Sequence, residues 1–427
     1  MSRRLVGMSV LVATILGLGG LSARQVRPGS GVHDESERRD AAIAFIEQAL
    51  ARDPQNPALK GQLISRLIVR FGRTADLADV TRAEELATSA INLTADRSGA
   101  FARLSGIYLM QHKFTEAFES ARTALANDTG SAEARGTLLE AALASGQYRV
   151  ADSLAARLDQ PTISSQVRRA LWLDAQGHTE QGAELLSHAC RELERSAGQP
   201  EGSAWCQTQL AGMVHSLRGP DEAERLLTRV LGLAPGYRGA VEGLANLALA
   251  QGRPAEALAG FRKILSDAHP DLYLRMADAH RMLGQHELAS AAEQRFLAIA
   301  GAPEVEALFG HPLAMFLAER GDPVSLDSAL AIARREIVRR PTNESFDLLG
   351  WVLFRRGNHQ AALAAANRAL SWGAPSPTLG YHRARILAAV GRTEEAATLV
   401  AEAVSAPTLL PPHVRRDLER SEGRAGS

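Results

Sequence analysis

The stretch NESFDLLGWVLFRRGNHQAALAAANRALSWGAP, residues 343–375, reads as two amphipathic helices joined by one tight turn. Gly357 stands between Arg356 and Asn358, and glycine supplies the left-handed conformation that closes a helix. Gly350 in the first helix, with Ala362 and Ala366 in the second, lets the two backbones approach closely. Phe346, Leu349 and Leu353 are large enough to fill the seam with a neighbouring unit. Pro375 falls where the second helix must stop.

The same pattern recurs in both directions. Second-helix segments anchored on an alanine recur at Ala117, Ala151, Ala183, Ala223, Ala257, Ala289, Ala329, Ala362 and Ala396, at steps of 34, 32, 40, 34, 32, 40, 33 and 34 residues, and at Ala117, Ala223, Ala257 and Ala362 they take the full form A-x3-[A/L/F]-x2-[A/V/I]. Further turns stand at Ser145-Gly146-Gln147, Gln251-Gly252-Arg253 and Val390-Gly391-Arg392, and Pro235, Pro270 and Pro341 fall near unit ends. The copy at 98–131 carries Phe101, Leu104, Tyr108, Ala117, Ala121 and Ala124. Nine units fit between 98 and about 410. A tenth, at 55–97, has a stretched turn around residues 73–79, and a helix at 37–52 is half of a further unit or a cap.

A period near 34 resembles the tetratricopeptide repeat. The resemblance implies an all-α, right-handed superhelical solenoid of about ten helix-turn-helix repeats over residues 37–410, with a polar capping segment at 411–427. It also implies a concave face lined by the first helix of each unit, and a non-enzymatic scaffold that binds other proteins there. The stretches RLSGIYLMQHKFTEA (103–117) and RRPTNESFDLLGWVLFRRGN (339–358) look like exported bacterial tetratricopeptide proteins of unassigned activity. Proteins of that group stand beside HupE/UreJ-like membrane proteins, which implies envelope partners. The alternative it raises is a ligand- or metal-handling accessory of a membrane transporter.

Composition agrees with helices. Aromatic residues are 5% of the chain, charged residues 22% and hydrophobic residues 45%, while alanine, leucine and arginine are among the best helix formers. The 48 basic and 48 acidic residues cancel, which argues against nucleic acid, whose binders carry a net basic stripe. Arg3 and Arg4 precede an uncharged apolar stretch at 5–21, and small residues follow before Arg24. That order fits a signal peptide over 1–23, and an uncleaved inner-membrane anchor fits as well. Residues 24–36 are rich in Pro, Gly, Ser and mixed charge and read as a flexible linker.

The chain has no phosphate loop, nucleophile elbow or H-E-x-x-H pattern. Its 12 histidines are scattered, so no catalytic, metal or cofactor residues are assigned. Cys190 and Cys206 flank one of the two longer junctions. They suit either a disulfide stapling it or two buried thiols. Phasing from the alanines places Arg168, Trp172, Trp205, His215, Asn246, Asp278, Arg281, Asp347, Trp351, Arg355, Tyr381 and Arg385 on the concave groove. Trp, Tyr and Arg often dominate interface energetics. Asn246 occupies one position of a clamp for a peptide carboxylate, but Glu242 stands where a lysine is needed and only Lys60, Lys113 and Lys263 exist, which argues against such a clamp.

Overall fold

The computed structural model describes residues 32–158, 162–195, 200–302, 305–374, 376–412 and 414–418. Residues 1–23, and with them the signal or anchor, lie outside the described residues. Helix α1 (Val32–Arg52) begins inside the stretch expected to be a linker and packs on α2 through Ile43, Ile46 and Leu50. Ten antiparallel helix pairs follow among the described residues. They are α2 (Pro57–Thr74) with α3 (Leu77–Ala90), α4 (Arg97–Met110) with α5 (Phe114–Asn127), and α6 (Ala132–Ala144) with α7 (Tyr148–Ala155). Next come α8 (Ile163–Ala175) with α9 (Thr179–Arg195), α10 (Pro200–Arg218) with α11 (Pro220–Leu233), and α12 (Arg238–Ala250) with α13 (Pro254–Ile264). The last four are α14 (Asp271–Met282) with α15 (His286–Ala300), α16 (Glu306–Arg320) with α17 (Pro323–Arg339), α18 (Asn343–Arg355) with α19 (His359–Ala369), and α20 (Pro377–Ala389) with α21 (Thr393–Val404).

The expected turns are built as the glycines require. Gly146, Gly252, Gly357 and Gly391 all sit at φ between 74° and 84°. A Cβ added to Gly350 would stand 3.3 Å from the Ala362 carbonyl oxygen, so only a small residue allows α18 and α19 their close approach. Helix starts are capped locally: Asn56 accepts from the Ala58 and Leu59 amides, Thr342 from Ser345 and Ser376 from Leu379. Each such cap stabilises its helix by about 1 kcal/mol.

Two expectations need correction. The turn at 73–79 is not stretched: α2 runs to Thr74, Ala75 closes it at φ 59°, and Asp76 caps α3. Of the residues expected to form a longer junction at 191–205, those at 191–195 belong to α9 and those at 200–205 to α10, which run to 17 and 19 residues, and α17 likewise reaches 17. In the segment after α21, Leu410, Val414 and Leu418 are buried against Tyr381 and Ala403.

Cys190 and Cys206 have their sulfurs 2.15 Å apart, inside the core formed by Leu186, Trp205 and Leu210. The bond would close a loop 16 residues apart in sequence, worth roughly 3 kcal/mol through the unfolded chain. Reduction is expected to lower the denaturation midpoint of the oxidised protein by that amount and to add two hydrogens to its intact mass. An unchanged mass and midpoint would show two free thiols.

Candidate partner-binding channel

The first helices of the pairs pack side by side (α4 on α6, α6 on α8, α16 on α18, α18 on α20) and form the inner layer. The array then meets itself. Tyr148 stacks on Trp372 at 4.1 Å, and its hydroxyl accepts from the Asn343 amide at 2.9 Å. Trp372 Nε1 donates to Asp152, which also accepts from Trp172 Nε1 at 2.9 Å. The Ala374 amide donates to the Ala175 carbonyl, and the Arg340 guanidinium lies 4.9 Å from the centre of the Phe114 ring. Helices α4–α8 are thereby fastened to α17–α19, beside an open cavity of about 1340 Å³.

One fastening follows directly from a proline. Pro312 lies inside α16 and has no N–H to give the carbonyl four residues earlier. That carbonyl belongs to Leu308, and it is hydrogen-bonded by the His112 ring from the turn between α4 and α5. Burial, reinforced by Arg340, Arg339 and His269, pushes His112 down to about 3. Burial also lowers His269 and His215 to about 4. A histidine whose folded value lies below its unfolded value of 6.5 makes the unfolded chain bind more protons between the two. Stability from His112 is therefore present above about pH 6.5 and is lost as the pH falls toward about 3. Asparagine tolerates the φ of 57° at this position. His112→Asn should narrow the drop in melting temperature between neutral and mildly acidic buffer, with His215 and His269 supplying the remainder. An identical drop in both proteins would place the acid sensitivity elsewhere.

Of the residues expected in the groove, Asn246, Asp278, Arg281, Asp347, Trp351, Arg355, Tyr381 and Arg385 line the cavity. They come from α12, α14, α18 and α20. Several are already paired: Asp347 holds His382 at 2.9 Å, Arg355 meets Glu319 at 3.1 Å, and Arg281 bonds Asp278 and Glu293. Glu242 also lines the cavity, and burial, then Asp271, raises its carboxyl above the usual range.

Arg168, Trp172, Trp205 and His215 are not brought to that wall. Arg168 is 2% exposed and lies between α6 and α8, with Nε 2.8 Å from Glu140 and Nη2 2.7 Å from Glu133. Burial works against its charge, but these two carboxylates outweigh it and hold the guanidinium above its ordinary value. Trp172 packs toward α7, Trp205 is buried beside Cys206, and His215 is buried with Nε2 3.1 Å from Thr408 Oγ1. Phasing missed Trp372, Tyr148 and His112, the residues that fasten the ring. Trp372 stands just after a helix, where no inter-helix seam calls for an indole.

A model of the tetratricopeptide repeat matches residues 220–271, from α11 to the start of α14. Among solved structures the chain is similar to that of pilF from Pseudomonas aeruginosa, at 16% identity and a TM-score of 0.37, over 49% of this chain and 96% of that one. It is similar to human IFIT1, solved as a dimer with PPP-AAAA, at 17% identity and a TM-score of 0.45, over 86% and 90%. PilW, described as a widely conserved type IV pilus biogenesis factor, is similar at 15% identity and a TM-score of 0.40, over 51% and 100%. No curated protein matches the sequence. Helix pairs stacked in register around a channel define an all-α repeat solenoid. Over residues 220–271 the repeating unit matches the tetratricopeptide repeat. Among the described residues no group of three or more His, Cys, Asp or Glu is placed to hold a metal ion, and no helix is long and apolar enough to cross a membrane.

Proposed function

We propose that the protein is a non-enzymatic scaffold of the bacterial cell envelope, delivered by residues 1–23, that receives a segment of an envelope protein inside its channel. The observation that carries this is the cavity of about 1340 Å³ lined by first helices together with parts of α5, α7, α15 and α19. Small-molecule sites occupy about 300–1,000 Å³, so the space suits a stretch of polypeptide better than a metabolite. Its wall mixes aromatic side chains (Phe309, Phe316, Trp351) with charged ones of both signs (Arg275, Arg355, Glu293). Aromatic and arginine side chains are the usual anchors of protein interfaces.

The test is quantitative capture from envelope extract by the full chain and by a variant carrying Arg275→Glu and Phe316→Ala. The proposal expects the partner recovered by the wild type to fall at least about tenfold, the effect of losing one or two anchors. Equal recovery by both proteins would remove the channel from the interaction.

A further inference from the structure

Residues 407–412 and 414–418 are held in the channel by side chains and carbonyls from four helix pairs. Thr408 Oγ1 lies 3.1 Å from His215 Nε2 on α10. Arg415 donates to the Ala250 carbonyl at 2.6 Å and the Leu249 carbonyl at 3.3 Å. Those are the last carbonyls of α12, where the negative end of the helix dipole favours a cation. Arg416 donates to Asp278 on α14 at 2.9 Å. Asp417 accepts from the Tyr381 hydroxyl at 2.6 Å and from Arg385, both on α20. Residues 414–418 are helical, and Val414 and Leu418 are buried on the side toward Tyr381.

Sequence order and seats are complementary. Two arginines meet a helix C-terminus and a carboxylate, and the acid that follows meets a tyrosine and an arginine. Three of these seats (Asp278, Tyr381 and Arg385) are residues that sequence phasing assigns to partner binding. The segment therefore makes the kind of contact expected of a bound peptide, and it does so across the opening between the tenth pair and the fifth to seventh.

We propose that residues 407–418 are a built-in occupant of the partner site. A partner segment with the same pattern, two adjacent arginines and an acid on a helical turn flanked by aliphatic residues, takes their seats and releases them. This rests on the channel being the partner site. Because the segment follows α21 after a two-residue link, it competes at an effective concentration on the order of millimolar. A free peptide making the same contacts cannot displace it at micromolar concentration. Loosening the tethered copy exposes the seats, and the apparent affinity for an outside segment rises by the fraction opened.

The experiment uses the full chain and a fluorescent synthetic peptide of residues 405–420, SAPTLLPPHVRRDLER, with binding followed by anisotropy. The doubly substituted chain Arg416→Gln, Asp417→Asn is expected to bind the peptide at least about tenfold more tightly than the wild type. Arg416→Gln alone, at a side chain that is partly exposed, should move affinity in the same direction by less and guards against misfolding of the double variant. A peptide carrying Asp417→Lys should bind neither chain. Equal binding by wild type and both variants, or no binding by any of them, would overturn the proposal. The channel assignment fails separately, through unchanged capture by the Arg275→Glu, Phe316→Ala chain, so either idea can fall without the other.

Discussion

Replacing Arg168 with alanine is expected to destabilise the array by about 3–5 kcal/mol, the cost of removing one partner from a buried ion pair. Glu140 is itself 2% exposed, and Arg168 is the cation beside it. The variant would remove the guanidinium that this carboxylate meets at 2.8 Å in the core between α6 and α8. An exposed pair would cost no more than about 1 kcal/mol, so the magnitude separates a core position from a groove position. The local backbone has accommodated this side chain: a Cβ on Gly136 would come within 2.6 Å of Arg168 Cδ. Joint replacement, Arg168→Met with Glu140→Leu, should recover most of the loss, since apolar groups of similar volume can take the place of a buried pair. Chemical denaturation measures both. A loss below about 1 kcal/mol for Arg168→Ala would mean that water reaches the site.

Trp351→Ala should cost a similar amount, about 3–5 kcal/mol, through the cavity left behind. The indole is 3% exposed, stacks 4.2 Å from the His382 ring and 5.1 Å from the Phe354 ring, and donates to Glu319 at 2.7 Å. It therefore joins α16, α18 and α20, three consecutive first helices. Trp351→Phe should retain most of the packing and lose the hydrogen bond, with a cost of about 1–2 kcal/mol. If Trp351→Ala left thermal stability unchanged and affected only partner capture, the residue would be a contact surface rather than a strut.

The repeat was legible because its determinants are local. A glycine that must turn, a pair of alanines that must face a glycine, and a proline that ends a helix all act within one 34-residue period. The groove was half legible for a related reason. A first helix has three faces, toward its own partner, toward the next first helix and toward the channel, and alanine phasing fixes only the first of these. Asn246, Asp278 and Tyr381 line the channel. Arg168 was drawn there by its charge. The signal that would have corrected it was a pair of glutamates one repeat earlier, Glu133 and Glu140, around a mid-helix glycine. Ring closure was not legible, since it joins Asp152 to Trp372 and Tyr148 to Asn343 across roughly two hundred residues. No periodic pattern encodes contacts at that separation. Of the charged residues in the C-terminal segment, Arg415 and Arg416 have complementary seats 165 and 138 residues back in the chain, and Asp417 has one on α20.

Site-specific photo-cross-linking tests the central proposal most directly. A photoreactive phenylalanine analogue at Phe309 or Phe316 lies on the channel wall, whereas at Val324 or Val338, 76% and 86% exposed, it lies outside the channel lining. In living cells the partner should cross-link from the first two positions and not from the last two. Cross-links confined to Val324 and Val338 would place the partner outside the channel and contradict the proposed function.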